Sequence, residues 1–491
     1  MASRTWIDNS ALIPPILPDS QVRLEDSGNG LQSPDWVKSL IIEQANVLSA
    51  SPDGTFAGMG PVLDHVAEMG VNCVWLNPIQ DGRHYYNYGP ETVNPLMTGT
   101  EDYREGWQRV RAFVHEAHRR NIRVLLDIVT WGINPEAPIL QEHPDWFDGY
   151  SEEYKGPLYN WKNPELLAWF SDQLVRIIHE TDADGFRADG GIQFCGPELY
   201  AGVRKRLHAE GRYIAMIGEA ITEGTEGFFD FNEHSIDYWT RREGEKFFDG
   251  EINFVSDYRP DMIAAVQRGY GLDTRSRQAA GTAGMLRFYS SIVSCHDSVR
   301  YTVGGRLVRF AYTSLLSPFI PMWYIGEEWN NPQTTQEGQW LYANRIDFSA
   351  IEANREFYET VKRVIRIRRL LPEVFTDFPR CHRQIRFCGV ETDGEGQLPA
   401  YARPATGYGI VVIPNATDEE RCTSFVPPLA ACGMAADEAW CVTDLLSGEE
   451  LVPGSAVACR IPPQGVGIYG MRAVRNGIDP LEPVLAPLGR K

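Results

Sequence analysis

The fold is decided by one short stretch, Asp184-Gly185-Phe186-Arg187-Ala188-Asp189. It follows a helix-like segment and precedes a pair of glycines, which predicts a short buried strand that ends at a loop. Alternate side chains of a strand share a face, so Arg187 and Asp189 point the same way. An arginine beside a carboxylate favours the ionised form of that carboxylate. Asp189 is therefore a candidate nucleophile, although a structural ion pair explains the hexapeptide equally well.

Strand-like and helix-like segments alternate on both sides of this stretch. Apolar strands are predicted near residues 39–47, 72–76, 122–129, 184–189, 213–218, 228–232, 286–294 and 318–324. Strict alternation of such strands with helices predicts a parallel sheet covered by helices. Eight units predict a closed (β/α)8 TIM barrel, in which the sixth unit, with its helix near 261–268, is the least regular. A capping box at 349–352 predicts the start of a last helix that runs to about residue 371.

The composition changes after Pro372. Short alternating apolar runs, separated by Gly, Pro, Asn and Asp, predict a C-terminal antiparallel β-sandwich. The chain is therefore divided into an irregular N-terminal extension (1–35), the barrel (36–375) with a short insertion after its third strand (about 131–162), the β-sandwich (384–471) and a proline-rich tail (472–491).

The charge and the cysteines restrict the classes of function. A formal net charge of −20 argues against nucleic acid or an anionic membrane as the main partner. The sequence has no apolar run of about 18 residues and no signal-like N-terminus, so we expect a soluble, cytoplasmic protein. Nine cysteines, an odd number without a C-x-x-C pair, indicate free thiols rather than a disulfide framework or a zinc site. The sequence does not predict the oligomeric state.

Polar residues follow several of the predicted strands. In a (β/α)8 barrel the active site lies at the carboxyl ends of the strands. Asp127 lies near the end of the third strand, Asp189 and Glu219 end the fourth and fifth, and His296 and Asp297 follow the seventh. Each residue alone is also explained as a helix cap or a loop anchor. Carboxylates that converge on one rim repel each other at a cost in stability, which favours a functional explanation.

These motifs, taken in order, resemble those of the α-amylase family, glycoside hydrolase family 13. The resembling stretches are 70–78 at the second strand, 185–189 at the fourth, 218–219 at the fifth, 296–297 at the seventh, 321–328 at the eighth, 367–369 in the closing helix and 442–446 in the sandwich. They span most of residues 39–471. The resemblance implies a retaining mechanism on α-glucosidic linkages of oligosaccharides or α-glucans.

The resemblance also implies roles for the residues at the strand ends. A retaining glycosidase needs two carboxyl groups about 5–5.5 Å apart. Asp189 is expected to attack the anomeric carbon. Glu219 is expected to act as general acid and then base, a role for which it should be less solvated than Asp189. Asp297 is expected to stabilise the transition state, His296 to donate to the same sugar, and Arg187 to orient Asp189.

Aromatic residues and Asp127 complete the expected substrate site. A tyrosine of the loop 85–88 is expected to stack on the sugar, with Tyr88 preferred, although loop packing explains these tyrosines as well. Trp131 belongs to an aromatic-rich insertion whose rings suit either sugar stacking or a small subdomain core.

The sequence departs from the family after the third strand. Thr130-Trp131-Gly132 stands where the family usually has Asn and His. The missing His normally contacts the sugar at the cleavage subsite, and the missing Asn is a common calcium ligand. We therefore expect no cofactor, and calcium at this position is disfavoured.

Three functions remain to be compared. The first is hydrolysis of an α-glucan oligosaccharide. The second is transglycosylation or phosphate-using transfer, as in the maltosyltransferases that the departure at the third strand resembles. The third is a non-catalytic carbohydrate-binding or partner subunit, whose sequence sign would be the loss of Asp189 or Glu219. Both carboxylates are present, which disfavours this third function.

Overall fold

We describe the protein from a computed structural model of the chain. The structure describes residues 6–24, 32–190, 194–219, 229–232, 289–292, 295–296, 306–315, 319–331, 345–376, 388–393, 398, 400–415, 417–474 and 479–486. The helix expected near 261–268 and the candidate Asp297 lie outside these residues.

Eight parallel strands form the main sheet. They are β1 (Ile42–Ala45), β2 (Cys73–Leu76), β3 (Arg123–Ile128), β4 (Gly185–Ala188), β5 (Ala215–Gly218), β6 (Phe231–Asn232), β7 (Tyr289–Ile292) and β8 (Phe319–Tyr324). Their order in the sheet is β6-β5-β4-β3-β2-β1-β8-β7, and all neighbours pair in parallel. The edge strands β6 and β7 approach within 8 Å of each other at their Cα atoms. The sheet is therefore curled into the predicted TIM barrel.

The register of β4 depends on a glycine. Gly185 pairs with Leu125 on one side and with Ala215 on the other. Its φ is +151°, and a Cβ at this position would overlap the main-chain carbonyl of Ala215. Only glycine allows β4 and β5 to approach this closely, and this approach sets the positions of the residues that follow the two strands.

Six helices of ten residues or more lie among the described residues. They are α1 (Gly60–Met69), α2 (Tyr103–His118), α3 (Pro164–Thr181), α4 (Pro197–Ala209), α5 (Arg306–Leu315) and α6 (Arg355–Leu370). Each presents apolar residues to the outside of the sheet, as Trp107, Val110, Phe113 and Val114 of α2 do. None of the described helices is long and apolar enough to cross a membrane.

The predicted capping box at Ser349 is wrong. Residues Ala350–Ala353 form a separate short helix, and α6 begins only at Arg355. The Ser349 hydroxyl makes no cap hydrogen bond, because it donates to Asp347 Oδ1 at 2.6 Å. The Ser349 hydroxyl, which the sequence pattern predicts to cap the helix, is therefore hydrogen-bonded to the Asp347 carboxylate instead.

The segment after β3 is a small aromatic-rich insertion. Its two antiparallel strands are Phe147–Ser151 and Gly156–Tyr159. Trp131 and Tyr154 stack with ring centroids 4.9 Å apart, and Trp146 lies 5.0 Å from Trp169 of α3. Most of these rings pack on each other. They therefore form a small subdomain core, which is one of the two alternatives that the sequence left open.

The C-terminal region is an antiparallel β-sandwich, as predicted. Its strands are β9 (Cys388–Gly389), β10 (Tyr401–Ala405), β11 (Tyr408–Asn415), β12 (Arg421–Phe425), β13 (Trp440–Asp444), β14 (Glu450–Leu451), β15 (Val457–Ile461) and β16 (Gly465–Ala473). One sheet has the order β9-β10-β11-β16-β13-β14, and β12 and β15 form the other. Phe425 and Tyr469 stack between the sheets at 5.3 Å. The other side of β11 packs on α6, so the sandwich shares a core with the barrel.

Candidate active site

One buried arginine joins the two candidate catalytic carboxylates. Arg187, on β4, is 0% exposed. Its Nη1 donates to Asp189 Oδ1 at 3.0 Å, and its Nη2 lies 3.1 Å from Glu219 Oε2. Asp189 and Glu219 directly follow neighbouring parallel strands, whose pairing brings Ala188 beside Gly218. Two residues that are 30 positions apart in the chain therefore meet at one guanidinium.

Asp127 holds this arginine from below. It is 0% exposed, and its carboxylate accepts hydrogen bonds from Arg187 Nη1 at 3.2 and 3.4 Å. Trp75 Nε1 and the Tyr85 hydroxyl donate to Asp127 Oδ2 at 3.2 and 2.6 Å. Asp127 was predicted to contact the substrate, and its burial contradicts that prediction. It positions Arg187 and Tyr85 instead.

Tyr85 and His296 form the aromatic side of the site. Their rings are stacked, with centroids 4.9 Å apart and planes within 9°. The backbone N–H of His296 donates to Gln44 Oε1 at 3.1 Å, and its Nδ1 lies 2.7 Å from Gln44 Nε2. The amide of Gln44 therefore fixes the ring from β1. Sequence reasoning missed Gln44, which lies on a strand without any motif.

The structure places two further predicted substrate contacts. The Tyr88 hydroxyl donates to Glu136 at 3.4 Å, and its contact with a sugar stays a prediction, whereas Tyr85 is the loop tyrosine that contacts Asp127. Trp131 is 1% exposed and donates from Nε1 to the Tyr85 carbonyl at 3.0 Å. Trp131 therefore supports the loop 85–88 through this hydrogen bond, and its buried ring does not face a sugar.

Glu219 is not the less solvated carboxylate. Its side chain is 22% exposed, against 17% for Asp189, so the expected difference in solvation is absent. Glu219 Oε2 also accepts from the backbone N–H of Gly190 at 2.5 Å. Tyr154 of the insertion lies nearby: burial, together with Glu153 and the two carboxylates, raises its pKa to about 12. Asp297, the third candidate catalytic residue, lies outside the described residues.

The segment after β3 does not fit a calcium ion. The Thr130 carbonyl accepts from Trp161 Nε1 at 2.9 Å, and the Thr130 hydroxyl donates to the Asp189 carbonyl at 3.2 Å. Both oxygens of Thr130 are thus used in protein hydrogen bonds, and the next residue is a tryptophan. Calcium needs six to eight oxygen ligands, which this stretch does not supply.

Comparisons with known proteins agree with this geometry. No family model matches the chain. Alpha-amylase 2 of Dictyoglomus thermophilum is 23% identical over 371 residues, which is 68% of this chain and 61% of the relative. The intracellular maltogenic amylase of Bacillus subtilis is 25% identical over 405 residues, 69% of this chain and 63% of the relative. The chain is related to the α-amylase family. It spans about three fifths of the length of these two relatives.

A second kind of relative within the comparisons is a transferase. The alpha-1,4-glucan:maltose-1-phosphate maltosyltransferase of Mycobacterium tuberculosis is 25% identical over 477 residues, 84% of this chain and 60% of the relative. Among solved structures, an Anoxybacillus alpha-amylase superposes with a TM-score of 0.68 at 17% identity, covering 90% of this chain and 99% of that one. This structural likeness confirms the α-amylase family fold for the barrel and the sandwich together.

Proposed function

We propose that this chain is a retaining α-glycoside hydrolase that cleaves α-glucosidic linkages of oligosaccharides or α-glucans. The observation that carries the proposal is the contact of Asp189 and Glu219 with the two terminal nitrogens of Arg187. This contact fixes a pair of carboxylates at the carboxyl ends of two adjacent barrel strands, where barrel enzymes have their active sites. A retaining glycosidase requires such a pair in one cavity.

In this mechanism Asp189 attacks the anomeric carbon while Glu219 protonates the departing oxygen. The covalent glycosyl-enzyme is then hydrolysed by a water that Glu219 deprotonates. Arg187 keeps Asp189 ionised and in position. The Tyr85 ring is 5% exposed, and it supports His296 beside the carboxylates because it is held by Asp127 and stacked on the histidine ring. The reaction needs no cofactor, since the two carboxylates supply both the nucleophile and the proton.

The second candidate is glycosyl transfer, with or without phosphate. It is supported by the maltosyltransferase relative, which aligns with more of this chain than either amylase does. It shares the covalent intermediate and differs only in the acceptor, which is a sugar hydroxyl or phosphate instead of water.

One experiment separates these reactions. The full chain is incubated with α-linked di- and oligosaccharides and with maltose 1-phosphate, with and without inorganic phosphate, and products are followed by NMR. Hydrolysis with the α-anomer formed first supports the main proposal. Longer oligosaccharides, or products that require phosphate, support transfer.

Two isosteric variants test the residue roles. Asp189→Asn and Glu219→Gln are each expected to reduce turnover by at least about a thousandfold with unchanged circular dichroism, as expected when a group acting on the reacting bond is lost. Near wild-type turnover in either variant would reject its role.

We also propose that the protein works in the cytoplasm with an oligosaccharide or α-glucan as its partner. The proposal is supported by the relative named as an intracellular amylase and by four free thiols, which are Cys73, Cys195, Cys422 and Cys459. Thiol titration of the unfolded protein without reductant should therefore detect the free cysteines.

A further inference from the structure

A second group of acids lies on the outer side of the barrel wall. Glu43 and Gln44 are consecutive on β1, so their side chains point to opposite faces of the sheet. Gln44 faces the active site, where it contacts His296. Glu43 faces outward and meets His65 of α1 and Glu328, which follows β8. This group does not belong to the active site.

We propose that Glu43, His65 and Glu328 form a binding site for one divalent transition-metal ion of the zinc type. One ligand atom from each residue lies within 4.8 Å of the other two. His65 Nε2 is 2.6 Å from Glu328 Oε1 and 3.6 Å from Glu43 Oε1. Ligand atoms of a tetrahedral zinc ion, each bound at about 2.1 Å, lie about 3.4 Å apart. The 3.6 Å distance suits a shared ion, whereas the 2.6 Å contact is a hydrogen bond that has to open by about 0.8 Å when the metal binds.

The strongest sign of a missing ligand is the carboxylate of Glu43. It is 0% exposed, and neither of its oxygens has a hydrogen-bond partner among the described residues. Among the residues that the structure describes, no lysine or arginine forms an ion pair with Glu43 or Glu328. Burial, and then the charge of Glu328, raises the pKa of Glu43 well above its ordinary value. A divalent cation would neutralise both carboxylates and satisfy the orphaned oxygens.

The surroundings of His65 fit a metal ligand. Its Nδ1 lies 3.1 Å from the Tyr358 hydroxyl, which can fix the ring and leave Nε2 for the ion. Glu328 Oε2 accepts from the backbone N–H of Gly326 at 3.0 Å, so the second carboxylate is also oriented. An imidazole with two carboxylates favours zinc, manganese or cobalt over calcium or magnesium, which prefer oxygen ligands alone.

An entry path leads to the cluster. A cleft of about 590 Å³ reaches His65 and Tyr358, and Asp64, Glu68 and Glu352 also line it. Arg355 lines the same cleft, and Asp64, Glu68 and Glu352 each pair with a basic side chain, so the cleft gives access to the cluster without a net attraction for cations.

Metal binding to the full-length chain tests the site. Protein stripped with a chelator is titrated with ZnCl₂ by calorimetry in two buffers that differ in ionisation enthalpy, and bound zinc is counted by mass spectrometry after dialysis. We expect one tight ion per chain, with release of protons because these ligands bind a metal in their deprotonated forms. Zinc should raise the melting temperature.

Glu43→Gln keeps the size of the side chain and removes the anionic ligand. It is expected to weaken zinc binding by at least about tenfold and to abolish the zinc-dependent rise in melting temperature. The matched control is Glu352→Gln, on the same cleft but outside the cluster, which should bind as the wild type does. His65→Gln gives the same readout if Glu43→Gln does not fold.

Two results would overturn the proposal. One is a stripped wild-type protein that takes up no zinc, cobalt or manganese at one ion per chain. The other is equal zinc affinity in the wild type and in both cluster variants. Either result would leave a proton shared between Glu43 and Glu328 as the explanation of the cluster.

Discussion

Replacing Arg187 with lysine tests whether one guanidinium organises the active site. The arginine uses Nη1 for Asp127 and Asp189 and Nη2 for Glu219. A lysine ammonium is a single point and cannot occupy both positions. Arg187→Lys therefore loses at least one charge-assisted hydrogen bond in a buried site, which is worth about 1.5–3 kcal/mol.

The loss of this hydrogen bond should appear in the rate. If the lost bond is the one that holds Asp189 in its reactive position, the same energy corresponds to a fall in kcat/KM of roughly ten- to 150-fold, since about 1.4 kcal/mol is a factor of ten. Initial rates on the best α-linked oligosaccharide, with denaturation measured in parallel, give both quantities.

The matched control is Arg204→Lys. Arg204 is 1% exposed and pairs with Asp230 through both terminal nitrogens, at 3.2 and 2.8 Å. The Arg204→Lys variant should lose about as much stability as Arg187→Lys and keep the wild-type catalytic rate. Equal activity in the two lysine variants would refute the idea that Arg187 organises the carboxylates.

Three further predictions concern single side chains. Tyr85→Phe removes a hydrogen bond to a buried carboxylate and should lower kcat/KM about tenfold, whereas Tyr88→Phe should be near wild type; equal kinetics in the two variants would contradict the placement of Tyr85 at the site. Burial raises the pKa of Glu91 to about 7 from 4.5, so the wild type loses stability as the pH rises from about 4.5 to 7. The Glu91→Gln variant should be more stable than the wild type by up to about 3 kcal/mol at pH 8 and little changed at pH 4. Urea denaturation at the two pH values checks this prediction. Burial would raise the pKa of Asp184, but its histidine and arginine partners hold that pKa at about 2, below the ordinary 3.8. It therefore contributes about 2 kcal/mol that is present above pH 4 and lost as the pH falls towards 2, and Asp184→Asn should unfold with a weaker acid dependence than the wild type.

The barrel could be predicted from the sequence because each strand carries its own local signal. The runs at 73–76, 123–128 and 185–188 are short and mostly apolar, and they are buried at every position. Their parallel arrangement follows from the helices between them. The carboxylates could be placed at one rim for the same reason, since a residue that ends a strand must lie at the carboxyl edge of the barrel.

The parts that could not be predicted depend on contacts between distant residues. Tyr85 and Tyr88 are equivalent by sequence, and only the hydrogen bond to Asp127 distinguishes them. The burial of Trp131 depends on the insertion folding over it. The contact of His65 with Glu328 joins residues 263 positions apart, with no spacing that a metal motif would show.

The balance of charge at Arg187 explains the presence of Asp127, whose side chain is 0% exposed. One guanidinium faces three carboxylates, two at the rim and one buried beneath them. If Arg187 paired with Asp189 alone, it would neutralise the nucleophile and bring a positive charge close to the reacting carbon. Asp127 takes part of that charge and leaves the rim with an excess of negative charge. A glycosidase transition state resembles an oxocarbenium ion, so its developing positive charge is stabilised by this excess. In the proposed mechanism the buried aspartate acts on the reaction through the arginine, by setting the sign of the field at the anomeric carbon.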